Sequence, residues 1–168
     1  MPKLIGSSQT VVNHEGLKIN EHVGNVATKD DTISIASVTV SQPTAEPWLT
    51  LEYDEWLCVT KGCVELHYEE ENNREAVLKL NEGDTAFIAK GERFRPVFPD
   101  KNTEYIPVCL PAFRPDRCHR EEDADDSAVT KKLLELHSKT TSTNYDADVL
   151  YHMCQQELWE KAVESQEA

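Results

Sequence analysis

Between residues 32 and 113 the chain is a succession of short alternating apolar stretches, each closed by a turn signal, with no helical period between them. This pattern, more than any single motif, limits what the chain can fold into. Residues 32–40 (TISIASVTV) are β-branched and alternate, and they stop at Ser41-Gln42-Pro43. Residues 48–60 (WLTLEYDEWLCVT) are aromatic and apolar and stop at Lys61-Gly62. Residues 63–70 place Val64, Leu66 and Tyr68 on one face, because successive strand side chains point to opposite sides. Further strands are expected in 75–84, 85–92, 93–98 and 103–113. Short strands at this spacing, punctuated by Gly and Pro, predict an all-β antiparallel sandwich or barrel.

The helical period begins only after Asp126. Asp126 or Ser127 can cap a helix through Val129, Leu133, Leu134 and Leu136. A second helix is expected from about residues 144–146, carrying Val149, Leu150, Met153, Leu158 and Trp159. The expected organisation is a lead-in over 1–31 with one edge strand near 17–19, a β-barrel over 32–119, and an acidic helical tail over 120–168.

The net charge is −14, which opposes nucleic acid and anionic lipid, since phosphate binding needs basic patches. From Arg120 onward there are twelve acidic and five basic side chains, so half of that charge lies in the tail, read as a solvated helical surface. No apolar stretch approaches the ~18 residues of a membrane span, and MPKLIGSSQT has no signal-peptide apolar region. Five cysteines, odd in number and with no C-x-x-C pair, suggest reduced thiols and a cytoplasmic protein.

Two segments carry a family resemblance. DEWLCVTKG places Glu55 and Gly62 at the spacing of the second half of the first cupin motif, and GDTAFIAKGERF places Gly83 and Gly91 as in the second motif, with Ala89 where Pro is usual. The chain therefore resembles the cupin superfamily of jelly-roll β-barrels over residues 32–113, with Pro47 to Gly62 similar to the ethanolamine-utilisation EutQ-like small cupins. The resemblance implies a barrel with a central cavity. It also implies a metal held by two histidines of the first motif, the glutamate, and a histidine of the second. Here the first two positions fall on Trp48/Thr50 or on Leu49/Leu51, and the last on Phe94, so Glu55 alone survives. One carboxylate does not hold a transition metal, which needs three or four N, O or S ligands. No metal and no other cofactor is expected.

The expected function is binding of a small polar or anionic metabolite in the barrel. Glu55 is the candidate acid or base for metal-free isomerase or lyase chemistry, since apolar surroundings raise a carboxyl pKa. Trp48, Tyr53, Phe94 and Tyr105 are candidate aromatic walls. Arg93 and Arg95 flank Phe94 and are candidates to pair with Glu55 or with an anionic ligand; if Phe94 points inward, alternation turns both outward. A structural Glu55 paired to either arginine would lose stability on Glu55→Gln. The alternatives are a metal-dependent cupin oxygenase or isomerase with non-standard ligands, and a non-catalytic dimerisation or assembly module. A homodimer is expected, because Trp56 and Cys58 lie on the face of their strand opposite Glu55.

Overall fold

A computed structural model describes residues 1–70, 74–121 and 128–139. The strands in chain order are β1 (Gln9–His14), β2 (Leu17–Val23), β3 (Ser34–Val40), β4 (Thr44–Ala45), β5 (Leu49–Leu51), β6 (Asp54–Lys61), β7 (Cys63–Glu69), β8 (Glu75–Asn81), β9 (Thr85–Ile88), β10 (Arg93–Phe98), β11 (Thr103–Leu110) and β12 (Cys118–Arg120). They form two antiparallel sheets, ordered β1-β2-β3-β11-β6-β9 and β12-β5-β10-β7-β8, with β4 pairing the end of β10. One helix, α1 (Ala128–Ser138), follows. The architecture is the expected all-β jelly roll with a C-terminal helix. The second expected helix, near residues 144–146, lies outside the described residues.

Two strands fall within the stretch read as a lead-in. β1 and β2 form a hairpin that continues the first sheet through β3. Its turn is Glu15-Gly16, both at positive φ (44° and 86°), the twist that joins antiparallel strands tightly. Gly62, at φ 77°, makes the turn between β6 and β7; a Cβ there would come within 2.9 Å of the Thr103 hydroxyl, so the close approach demands glycine.

The two sheets face each other across a core that includes Val38, Leu49, Leu51, Leu57, Val59, Val64, Leu66, Leu80, Ile88, Phe94 and Phe98. Removing each such side chain from water contributes roughly 1.5–3 kcal/mol. A smaller cluster of Val11, Val12 and Leu133 joins α1 to the first hairpin, with Leu17, Ile19, Val129 and Leu136 packed around it. Val129, Leu133 and His137 recur at the four-residue spacing that puts them on one helix face. The described helix is therefore docked on the barrel along one face rather than solvated all round.

The segment after β2 is fixed by a buried carboxylate. Glu21 is 3% exposed and accepts backbone N–H bonds from Val26 (2.7 Å) and Ala27 (2.8 Å). Burial raises its pKa, and the two backbone donors act in the opposite direction. Gly24, at φ 142°, lies so close that a Cβ would reach 2.8 Å from the Glu21 carboxyl carbon.

Candidate functional site

The inward faces of the two sheets do not meet everywhere. Between them lies a cavity of about 310 Å³, with α1 contributing Val129, Leu133 and His137 to its wall. Strand alternation decides which side chains reach it. On β6 Leu57 and Glu55 face in, on β11 Tyr105, Pro107 and Cys109, on β5 Leu49 and Leu51, on β10 Phe94 and Pro96. Tyr53, in the bend between β5 and β6, also lines it.

Glu55, Tyr53, Phe94 and Tyr105 are thus brought together in one cavity. Trp48, Arg93 and Arg95 are not among its lining residues. Phe94 and Leu49 take the inward positions, so their sequence neighbours turn to the outer face. There the Arg93 guanidinium stacks 4.1 Å from the centre of the Trp48 ring. Its Nη1 donates to Glu69 (2.7 Å) and its Nη2 to Glu121 (2.7 Å). Arg95 Nε donates to the backbone carbonyl of Glu46 at 2.9 Å. Neither arginine pairs with Glu55, so the expected Glu55–arginine pair is corrected.

Among the polar cavity residues, Glu21, Arg120 and His137 were not singled out from the sequence. Cys118 and Arg120 come from β12, whose pairing with β5 (Cys118 with Leu51, Arg120 with Leu49) turns both inward. Arg120 Nε lies 3.4 Å from Glu46 Oε2, a long contact, and the Arg120 side chain is 21% exposed. Its pKa is raised: desolvation opposes the charge, but Cys118 and Glu46 outweigh it.

Glu55 is the centre of the cluster. Among the described residues its carboxylate receives one side-chain hydrogen bond, from the Cys109 thiol at 3.8 Å. Desolvation, with a minor push from Glu46, raises its pKa to about 7, against the weak lowering from Cys109. The thiol of Cys109 is raised as well, by burial and by the adjacent Glu55, and stays protonated. Tyr53 is 3% exposed, and burial raises its hydroxyl and that of Tyr105 well above the ordinary value. Neither hydroxyl has a hydrogen-bond partner among the described residues, yet neither is sealed from the cavity. Both hydroxyls therefore offer donors to whatever fills the cavity, water included.

A divalent metal does not fit the residues present. Leu49 and Leu51 are the inward-facing pair of the first motif, which settles the choice between Leu49/Leu51 and Trp48/Thr50. Phe94 fills the fourth position. No three His, Cys, Asp or Glu side chains cluster in metal-holding positions among the described residues.

The fold matches solved structures. Oxalate decarboxylase from Bacillus subtilis at pH 4.6 superposes with a TM-score of 0.60 over 72% of this chain and 33% of its own, at 12% sequence identity. The Lactobacillus farciminis oxalate decarboxylase formate complex gives a TM-score of 0.58 over 72% of this chain and 38% of its own, at 14% identity. The barrel is a cupin-type jelly roll. At these identities the likeness is one of fold. The chain is also 32% identical over 110 residues to endoribonuclease YbeY of Myxococcus xanthus, covering 64% of this chain and 35% of that protein. The chain thus spans about a third of the length of these three proteins. No family model matches the chain. No helix among the described residues is long and apolar enough to cross a membrane.

Proposed function

We propose that this cupin barrel binds a small polar or anionic metabolite in its cavity, and that Glu55 exchanges a proton with it in a metal-free reaction of isomerase or lyase type. The observation that carries the reading is the placement of Glu55: a carboxyl within a largely apolar cavity, with a pKa of about 7, beside tyrosine hydroxyls that have no hydrogen-bond partner among the described residues. A carboxyl in this range is partly protonated at neutral pH and can serve as acid or base there. The similarity of Pro47 to Gly62 to EutQ-like small cupins supports kinship with that branch and says nothing of the pathway.

Ribonuclease activity of the kind named for the Myxococcus xanthus protein is not favoured. A net charge of −14 repels phosphate, and the outer-face Arg93 and Arg95 are engaged with Glu69, Glu121 and the Glu46 carbonyl. Oxalate decarboxylation is not favoured either, because the cavity is lined mainly by apolar side chains.

The test is a thermal-shift screen of small metabolites against wild type and an Ala36→Phe variant, whose new ring would fill the cavity. Hits that stabilise wild type alone support the reading, and proton exchange of a hit with D2O, followed by NMR, should disappear in Glu55→Gln. Hits that stabilise both proteins equally would place binding elsewhere and refute it.

A second observation favours a homodimer. The outer face of the first sheet carries an uncharged row, Phe87–Trp56–Val108–Ile35, across four neighbouring strands. Phe87 is 54% exposed, and its ring lies 5.1 Å from that of Trp56. A two-fold copy of the same row is the occupant that sets no charge against it in so acidic a chain.

A further inference from the structure

The cavity's hydrogen-bonding inventory is lopsided. Tyr53 and Tyr105 offer hydroxyl donors with no partner among the described residues. Arg120 makes one long bond through Nε, and its Nη groups have no hydrogen-bond partner among the described residues. Glu55, when protonated, adds another O–H donor. The charged acceptor beside Arg120, Glu46, is engaged with it. A cavity rich in donors and poor in free acceptors selects a ligand whose polar end accepts. A guanidinium among those donors favours an anionic acceptor, and carboxylate fits its fork.

Much of the remaining wall is apolar, with Val11, Leu17, Ile19, Phe113 and Leu133 among its lining residues. A cavity of about 150 Å³ holds benzene; this one, at about 310 Å³, has room for a ligand of about twice that size, ~12 heavy atoms. A nucleotide is too large.

Building on the binding reading above, we propose that the ligand is a monocarboxylate with an apolar body, its carboxylate held by Arg120, Tyr53 and Tyr105, and that it binds together with a proton on Glu55. The charge balance requires the proton. The groups facing Glu55 are Tyr105 and Cys109 from β11, Tyr53 before β6, Cys118 and Arg120 from β12, and Glu46 before β5. Glu21 from β2 and His137 from α1 also line the cavity, and β9 and β10 bring uncharged Ile88, Phe94 and Pro96. Both tyrosines and Cys109 stay protonated, and His137 stays neutral, since burial and then Arg114 lower it to about 4. Glu46 and Arg120 offset each other. With Glu55 ionised the group of Glu55, Glu46 and Arg120 carries an excess negative charge that a carboxylate would have to face, and with Glu55 protonated that group is balanced and a donor is gained; Glu21, elsewhere on the wall, is met by the Val26 and Ala27 N–H groups.

Titration calorimetry of the full chain with hexanoate, octanoate and 4-phenylbutyrate tests this, with 4-phenylbutyramide and 4-phenylbutylamine as the neutral and cationic counterparts. At least one acid should bind, more tightly than the amide, with the amine weakest. Its affinity should be flat below pH ~7 and fall towards tenfold per pH unit above it, about tenfold weaker at pH 8 than at pH 6. Paired buffers of different ionisation enthalpy at pH 7 should read net proton uptake. Glu55→Gln should keep acid binding and lose the pH dependence, and Arg120→Gln should weaken the acid more than the amide. The wild-type pH profile stands even if either variant fails to fold. Preference for the amide or the amine, or an acid affinity that does not fall above pH 7, would overturn the ligand class and leave the binding cavity intact. Absence of binding by all five compounds would overturn the ligand class too. Failure of the cavity reading itself is separate, and shows as binding that survives Ala36→Phe.

Discussion

Glu55→Gln has an expected effect on stability whose sign follows from the missing arginine partner. In the unfolded chain this carboxyl titrates near 4.5, and in the barrel near 7. A raised folded pKa means that the folded state holds its proton longer. Below pH 4.5 both states are protonated and nothing is lost. Between 4.5 and 7 the unfolded chain gives up the proton while the barrel keeps it, so stability falls by about 1.4 kcal/mol per pH unit. Above 7 both are ionised, and the loss levels off at about 3 kcal/mol. Glutamine keeps the shape and an acceptor for the Cys109 thiol but never ionises. The variant should therefore be more stable than wild type at pH 8, by up to about 3 kcal/mol, or on the order of 10 °C in melting temperature for a chain of this size. The difference should shrink to under about 1 kcal/mol at pH 5. Denaturant unfolding at pH 5, 6, 7 and 8 measures the difference directly. A variant less stable than wild type at pH 8 would mean that the ionised carboxylate has a cationic partner after all, and the desolvation argument would fail.

Three further outcomes are expected. Elemental analysis of purified protein should show no stoichiometric Fe, Mn, Ni or Zn; close to one equivalent, lost on mutation of Glu55, would refute the donor-set argument. Light scattering at micromolar protein should give the dimer mass, and Phe87→Glu, which sets charge on the Trp56 row, should give the monomer; a wild-type monomer would count against the pairing face. Glu21→Ala strands the buried N–H groups of Val26 and Ala27 and should cost at least about 1–3 kcal/mol in chemical denaturation; a loss under half a kilocalorie would mean that water replaces the carboxylate.

Strand alternation made much of the cavity legible in advance. Once Glu55 is taken as inward, Tyr53 and Leu57 follow on the same face, and Phe94 inward forces Arg93 and Arg95 outward. The misplaced Trp48 is the same rule with a one-residue offset, resolved only when Leu49 and Leu51 are seen in the core. The edge strand expected near 17–19 is the start of β2, but β1 and the hairpin escaped, because β1 is mostly polar and the turn, Glu15-Gly16, lacks the Asn or Asp that usually signals such a connection. Arg120 escaped for another reason. β12 has three residues and follows Pro-rich chain, too short for a periodic signal, so only its pairing with β5 shows that the side chain turns inward.

The loss of the metal ligands and the raised pKa of Glu55 have a common cause. Histidines at the first-motif positions and at Phe94 would surround the carboxylate with a cation, and a cation holds a carboxyl ionised. Leu49, Leu51 and Phe94 remove that charge and supply apolar surface in its place, and apolar surface with no cationic partner is what lifts a carboxyl towards neutrality. The same three residues that leave Glu55 unfit to bind a metal therefore make it fit to carry a proton at neutral pH. Introducing a cation should reverse the effect. Phe94→Lys would place an ammonium on the inward face of β10, and a charge pair formed there should bring the Glu55 pKa back towards the ordinary carboxylate range. The Glu55-linked fall in stability between pH 5 and 7 should then shrink. If that fall persisted with the lysine charged and the barrel folded, the pH dependence would belong to some other group, and the assignment of the proton to Glu55 would be wrong.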